Sequence, residues 1–345
     1  MNNNRMMWVD SLKGFLMLLV IWSHSKAYID PPGYFLTAGY MGVFFFLTGY
    51  TTLNWNTNGV LYIKKKAIRL LTPYCVYGVM ITLLQITVSI FKGTLDLYQI
   101  VRGFLGFLYN AWTFDKLKKV YFLIWDNGPF WFLTAMFLAC IYAWLFFYFW
   151  NKGKKSIAVS FLIIMSVLLN CNTRYMLPWG MDSAFIGAVL IVLGSFYRKY
   201  LSDNKLIINN PIPCAAVSAI LLYLLTKYKG VNMAVKEYGQ SGLIGVFIYI
   251  LISVISSILC LIIFSNCRER GFIMKCLQNI GKETITLLCI QMFVIRISDK
   301  LMFSVTENRM FAGWISIIMT LFCGGVLNYI MKKIKCKKLK WVEYL

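Results

Sequence analysis

Residues 130–150 read FWFLTAMFLACIYAWLFFYFW, twenty-one positions without one charged side chain. At about 1.5 Å of rise per residue, a helix of that length covers about 30 Å, the thickness of a hydrocarbon core. Working outward, the runs Leu12–Tyr28, Leu243–Phe264 and Trp314–Ile330 are long enough to cross most or all of the same distance. Of the 345 residues 59% are hydrophobic and 14% charged, against about 45–50% and 25% in a soluble protein. That balance rules out a soluble enzyme. Apolar stretches fill the chain from end to end, so no room remains for a separate soluble domain of the usual ~100 residues or more. Ten spans are expected, near 12–29, 34–53, 67–91, 129–150, 156–170, 181–197, 211–226, 241–264, 280–298 and 311–331. The predicted fold class is all-α: a polytopic membrane helix bundle of about ten transmembrane helices, forming one membrane domain over residues 1–345.

Lys and Arg number 35 against 13 Asp and Glu. In a soluble chain this excess would suggest nucleic acid. Here the cations form short clusters between spans, the pattern of cytoplasmic loops that set topology and meet anionic headgroups, so no nucleic-acid partner is expected. An even number of spans puts both termini on one side, and the tail Lys332, Lys333, Lys335, Lys337, Lys338 and Lys340 makes that side cytoplasmic. The protein is therefore expected to be a multi-pass protein of the plasma membrane. Segment 92–128 then lies outside, and its stretch Leu97 to Tyr109 is too short to cross, suiting an interfacial or re-entrant helix. The opening MNNNRMMWVD followed by an apolar run imitates a signal peptide, but the run ends at Asp30-Pro31-Pro32 without a small-residue cleavage pattern, and we read it as a retained first span. Ten Cys form no C-x-x-C pair and lie mostly in apolar runs, indicating neither a disulfide framework nor zinc. A single His excludes a His-rich metal site, so no metal is expected.

That lone His24 sits in the first span, about 18 Å from its start and past the bilayer midplane. Ionisable groups inside spans usually face a polar cavity or a partner, which makes His24 a candidate catalytic residue; interhelical packing by a hydrogen-bonded imidazole is the alternative. Lys13 precedes it by eleven positions, which is three helical turns plus about 20°. Both share a face, a line of about 16 Å from the cytoplasmic surface to the imidazole, although Lys13 would also suit simple snorkelling. Lys66 and Arg69 share a face at i,i+3 behind Lys64 and Lys65. They satisfy the positive-inside rule and equally suit polyphosphate at a cytoplasmic entrance.

These residues belong to an ordered set of motifs. Val9-Asp10-Ser11-Leu12-Lys13-Gly14 followed by His24 resembles the opening of the acyltransferase-3 family of integral membrane acyltransferases. Phe44-Phe45-Phe46-Leu47-Thr48-Gly49-Tyr50 is similar to that family's Phe-Phe-x-x-Ser-Gly-Tyr, and Lys66-x-x-Arg69-Leu-x-x-Pro-Tyr to its Arg-x-x-Arg-Leu-x-Pro-Tyr, one residue out of register before Pro73. Gly128-Pro129-Phe130-Trp131-Phe132-Leu133 and Ile280-Gly281-Lys282-Glu283-Thr284-Ile285 resemble a middle and a late motif. Lys13 and Lys66 stand where Arg is commoner, Thr48 where Ser is usual, and Gln291 where many members carry His.

The resemblance implies transfer of an acyl group, usually acetyl from cytoplasmic acetyl-CoA, to a hydroxyl of a lipid-linked or cell-surface carbohydrate, as in bacterial polysaccharide O-acetyltransferases. Such chemistry needs a base for the attacking hydroxyl, and an imidazole with a reference pKa near 6.5 suits the task, leaving His24 as the only one available. Lys13, Lys66 and Arg69 would attract the CoA phosphates. Thr48 would line the acceptor cavity or steady an oxyanion, or else serve helix packing. Tyr50, Tyr74 and Trp131 would stack on sugar rings or else act as interfacial anchors. A covalent acetyl-His24 intermediate is the rival mechanism, and a proton-coupled transporter or glycan flippase using His24 the rival function.

Overall fold

A computed structural model of the chain describes residues 6–29, 32–52, 54–94, 96–115, 120–122, 128–171, 176–201, 210–226, 231–238, 242–267, 271–303 and 306–338. Helices dominate: α1 (Met7–His24), α2 (Pro32–Thr37), α3 (Tyr40–Thr51), α4 (Gly59–Phe91), α5 (Leu97–Tyr109), α6 (Trp131–Asn151), α7 (Lys155–Cys171), α8 (Met181–Phe196), α9 (Pro211–Thr226), α10 (Gly242–Asn266), α11 (Phe272–Lys282), α12 (Thr284–Phe303) and α13 (Arg309–Lys338). A small antiparallel ribbon joins β1 (Ala111–Asp115) to β2 (Val120–Phe122). The all-α expectation holds. Each of the ten expected segments carries a helix, and among the described residues five helical stretches are long and apolar enough to cross a membrane: Gly59–Phe91, Gly128–Asn151, Pro178–Leu201, Gly242–Asn266 and Arg309–Met331. The apolar helices α7 and α9 are shorter.

Three boundaries differ from the sequence reading, each for a local reason. The first helix ends at His24, because the Ser25 amide and hydroxyl both turn back to the Trp22 carbonyl while the Trp22 indole donates to the Ala27 carbonyl. His24 is thus the last residue of α1. The expected 34–53 span is interrupted at Ala38-Gly39, where Gly39 adopts φ +69° and the Ser256 hydroxyl takes up the Ala38 carbonyl. In the expected 280–298 span, one helix closes at Lys282, where the Glu283 amide turns back to the Ile280 carbonyl, and the next begins at Thr284. Leu97 to Tyr109, by contrast, forms α5 over the same residues. Asp30-Pro31 and the end of the Lys-rich tail, from 339 on, lie outside the described residues.

The described residues fall into two compact units. One is formed by those within 1–44, 199–231 and 251–340, the other by those within 45–198 and 232–250. In the first unit α11 packs on α1 at very close range. A Cβ on Gly14 would run into the Leu277 carbonyl, and one on Gly281 into the Asp10 carbonyl, so only hydrogen fits at either position. The Ser11 hydroxyl donates to the Met274 carbonyl at 3.1 Å beside that contact. α12 packs on α13, and the loop after α1 is tied to both: Lys26 pairs with Asp299 at 3.2 Å, Ser316 donates to Asp299 at 2.8 Å, and Gly313 lies against the Ala27 backbone.

In the second unit α6 and α8 form the centre, and α3 crosses α8 through paired glycines, Gly49 against the Ile191 carbonyl and Gly194 against the Phe46 carbonyl. The last carbonyls of α5, which no helical N–H can reach, are capped by others: Gly106 by the Asn110 amide, Phe107 by the Tyr74 hydroxyl and Leu108 by the Trp179 indole. Near the start of α8 lies a wholly buried ion pair between Asp182 and Lys236. Asp182 also accepts the Leu177 and Ser183 amides, and Lys236 donates to the Leu169 carbonyl at 3.0 Å. Tyr238 donates to Asn170 at 2.7 Å; burial, then the Asp182 carboxylate, pushes its hydroxyl pKa well up and keeps it a donor.

Two stability predictions follow from these contacts. Gly14→Val should destabilise the first unit by about 1–3 kcal/mol or more, since neither backbone can withdraw, read as a lowered thermal midpoint in detergent. Lys236→Met should cost about 3–5 kcal/mol, because it leaves Asp182 charged and buried; the same assay on Asp182→Asn/Lys236→Met should recover part of the loss.

Candidate functional site

α1 carries three of the residues singled out from the sequence. Asp10 is buried, and the Lys13 ammonium lies 3.9 Å from its carboxylate. Lys13 remains about a quarter exposed, at 28% of its side chain. Three turns on, on the same face, His24 ends the helix half-buried, while Met17 and Val20 between them are shielded from solvent. Among the described residues no side chain hydrogen-bonds the His24 imidazole. Of its neighbours along the chain, Ser23 meets Tyr40 at 3.4 Å, and Lys26, two residues later, pairs with Asp299.

The remaining sequence-derived residues lie in the second unit. On α4, Lys66 sits 5.4 Å over the Tyr62 ring and is half-buried, whereas Arg69, one turn on, is exposed with Lys64 and Lys65. Thr48 on α3 is half-buried and turns its hydroxyl to the Met136 sulfur at 3.7 Å. Its neighbour Gly49 is the α3–α8 contact point. Tyr50 is buried, and its hydroxyl accepts a 2.8 Å bond from the Arg198 guanidinium, which also lies 4.9 Å over the ring. Tyr74, inside α4, is buried against Phe107, Phe130 and Trp179, and its hydroxyl donates to the Phe107 carbonyl. Trp131 opens α6 next to Phe130 and is likewise buried. Tyr74 and Trp131 are therefore brought to the same end of this unit. Lys66 and Arg69 share one helix.

Two features escaped the sequence reading. Arg198 lies in a basic pair after an apolar run and looks purely topological; what marks it is the single π-helical turn Tyr197–Leu201, a distortion common at functional positions. The Asp182–Lys236 pair joins residues far apart in sequence, and the only local signal was an acid at the head of an apolar helix. Among the described residues no group of three His, Cys, Asp or Glu gathers as metal ligands.

No curated protein and no solved structure matches the chain. A protein-family model does, the one described as an acyltransferase domain, and its match runs over residues 6–329. It spans both units, and the motif residues around Gly14, Gly49 and Gly281 within it are the ones that bring helices into backbone contact. With nearly the whole length so covered, the chain belongs to the acyltransferase-3 family.

Proposed function

We propose that the protein is a membrane O-acyltransferase that moves an acetyl group from cytoplasmic acetyl-CoA to a hydroxyl of a lipid-linked or cell-surface carbohydrate. The whole matched chain acts as one catalytic domain of the plasma membrane, with both termini in the cytoplasm, an orientation supported by the Lys-rich tail. The observation that carries the reading is His24: the chain's sole imidazole, half-buried at a helix end, with no side-chain partner among the described residues. Its ring nitrogens remain available to a substrate.

His24 acts as general base. It takes the proton from the acceptor hydroxyl as that oxygen attacks the thioester carbonyl; the C–S bond breaks, and CoA leaves as the thiolate and collects the proton. Lys13, Lys66 and Arg69 hold the donor phosphates through charge-assisted hydrogen bonds. Their partial or full exposure supports this, since a phosphate must reach them from water. For the acceptor, Thr48 is the half-open hydroxyl. Tyr50, Tyr74 and Trp131 shape the wall on which a sugar packs, acting through the contacts that fix them.

His24→Ala should abolish acetyl transfer and CoA release in the purified protein while leaving its thermal midpoint near wild type. Substrate uptake into vesicles without CoA release would instead point to transport. Replacing Arg69 or Lys13 by Gln removes a bond of about 1.5–3 kcal/mol. Acetyl-CoA affinity should fall roughly tenfold or more, seen mainly in the donor KM with kcat less affected. Lys64→Gln and Lys65→Gln serve as controls for bulk charge, and wild-type calorimetric affinity in Arg69→Gln and Lys13→Gln would exclude these cations as the donor site.

A further inference from the structure

Gln291, on α12, is fully buried, and both polar atoms of its carboxamide, Oε1 and Nε2, lack a hydrogen-bond partner among the described residues. No other described residue is buried with two orphaned side-chain atoms. Folded proteins rarely leave such a group unpaired, and one that persists points to a function or to a bound species.

Its height along α1 follows from two ties within the first unit. Near one end Gly281 lies on the Asp10 carbonyl; near the other Asp299 pairs with Lys26. The intervening segments, 281–299 and 10–26, cover about 27 and 24 Å at helical rise. α12, which packs on α1, therefore ascends beside it in the same direction. Gln291 lies about 15 Å above the lower tie. Counted from the two ties, that is level with Leu18 to Val20, between Lys13 and His24.

A carboxamide offers one donor and one acceptor side by side. A group that satisfies both at once is another amide, giving its N–H to Oε1 and taking an N–H from Nε2. CoA carries amides in one place only, the pantetheine arm, between the phosphates and the thioester. If the phosphates sit near Lys13 and the thioester at His24, that arm passes the height of Gln291. On the donor reading given above, on which this step rests, we propose that Gln291 binds an amide of the pantetheine arm of acyl-CoA. It is a binding residue and takes no part in proton transfer.

The test uses the full-length protein in detergent, with non-reacting CoA as ligand in calorimetry. Gln291→Met keeps volume and removes both orphaned atoms. CoA should bind this variant about tenfold more weakly, while 3′,5′-ADP, which lacks the arm, should bind as to wild type. The thermal midpoint without ligand should be unchanged or higher, since two unpaired polar atoms leave the interior. A second comparison needs no stable variant: CoA with ester oxygens in place of the pantetheine amide nitrogens should bind wild type about tenfold more weakly than CoA. Equal CoA affinity in wild type and Gln291→Met, or equal affinity of wild type for CoA and the ester analogue, would overturn the proposal while leaving the donor reading intact. Failure of wild type to bind either CoA or 3′,5′-ADP would overturn the donor reading and this assignment with it.

Discussion

Inside lipid, helices gain nothing by hiding apolar side chains from water, so their association rests on how closely two backbones approach. In each unit the decisive contacts are of that kind. Gly14 and Gly281 let α1 and α11 touch main chain to main chain; Gly49 and Gly194 do the same for α3 and α8. The placement of every other residue on these helices follows. Lys13 stands immediately before one such glycine, and Thr48 and Tyr50 flank another. A shift at these crossings would move the polar residues together with the backbone that carries them.

The polar groups obey the same solvent. A protein interior rewards no unpaired carboxylate, so Asp182 collects an ammonium and two amides, and Asp299 an ammonium and a hydroxyl. Against that background a half-buried His24 with no side-chain partner and a Gln291 with two unpaired atoms, both judged among the described residues, stand apart. Family membership establishes acyltransferase chemistry, and among the described residues these two, with the buried Ser253 hydroxyl, are where the first unit has left polar capacity unspent.

Much of the fold was legible because apolar run length is a direct physical demand of the bilayer, and α4, α6, α8, α10 and α13 answer it. Leu97–Tyr109 was legible for the complementary reason: its run is apolar yet too short. Breaks inside apolar runs were hidden, since Gly39 and Glu283 act through φ and local hydrogen bonding that hydropathy does not register. At the site, the lone imidazole and the glycine-bearing motifs could be read from residue type and spacing. Arg198 could not, because its partner Tyr50 lies far away in sequence and cation clusters after a span have a bland explanation. The anomaly at Gln291 needed the tertiary structure: burial, and the lack of a partner among the described residues, are properties of neighbours.

The buried pair at the start of α8 also dictates an order of events during synthesis. Asp182 is made first, and Lys236 follows only after α8, α9 and the segment beyond them have been translated. At about 5–20 residues per second this delay lasts several seconds. Until Lys236 emerges, seating the head of α8 would bury a carboxylate without its counter-charge, at a cost of several kcal/mol. The pair can close only once a residue beyond six of the unit's own helices has been made.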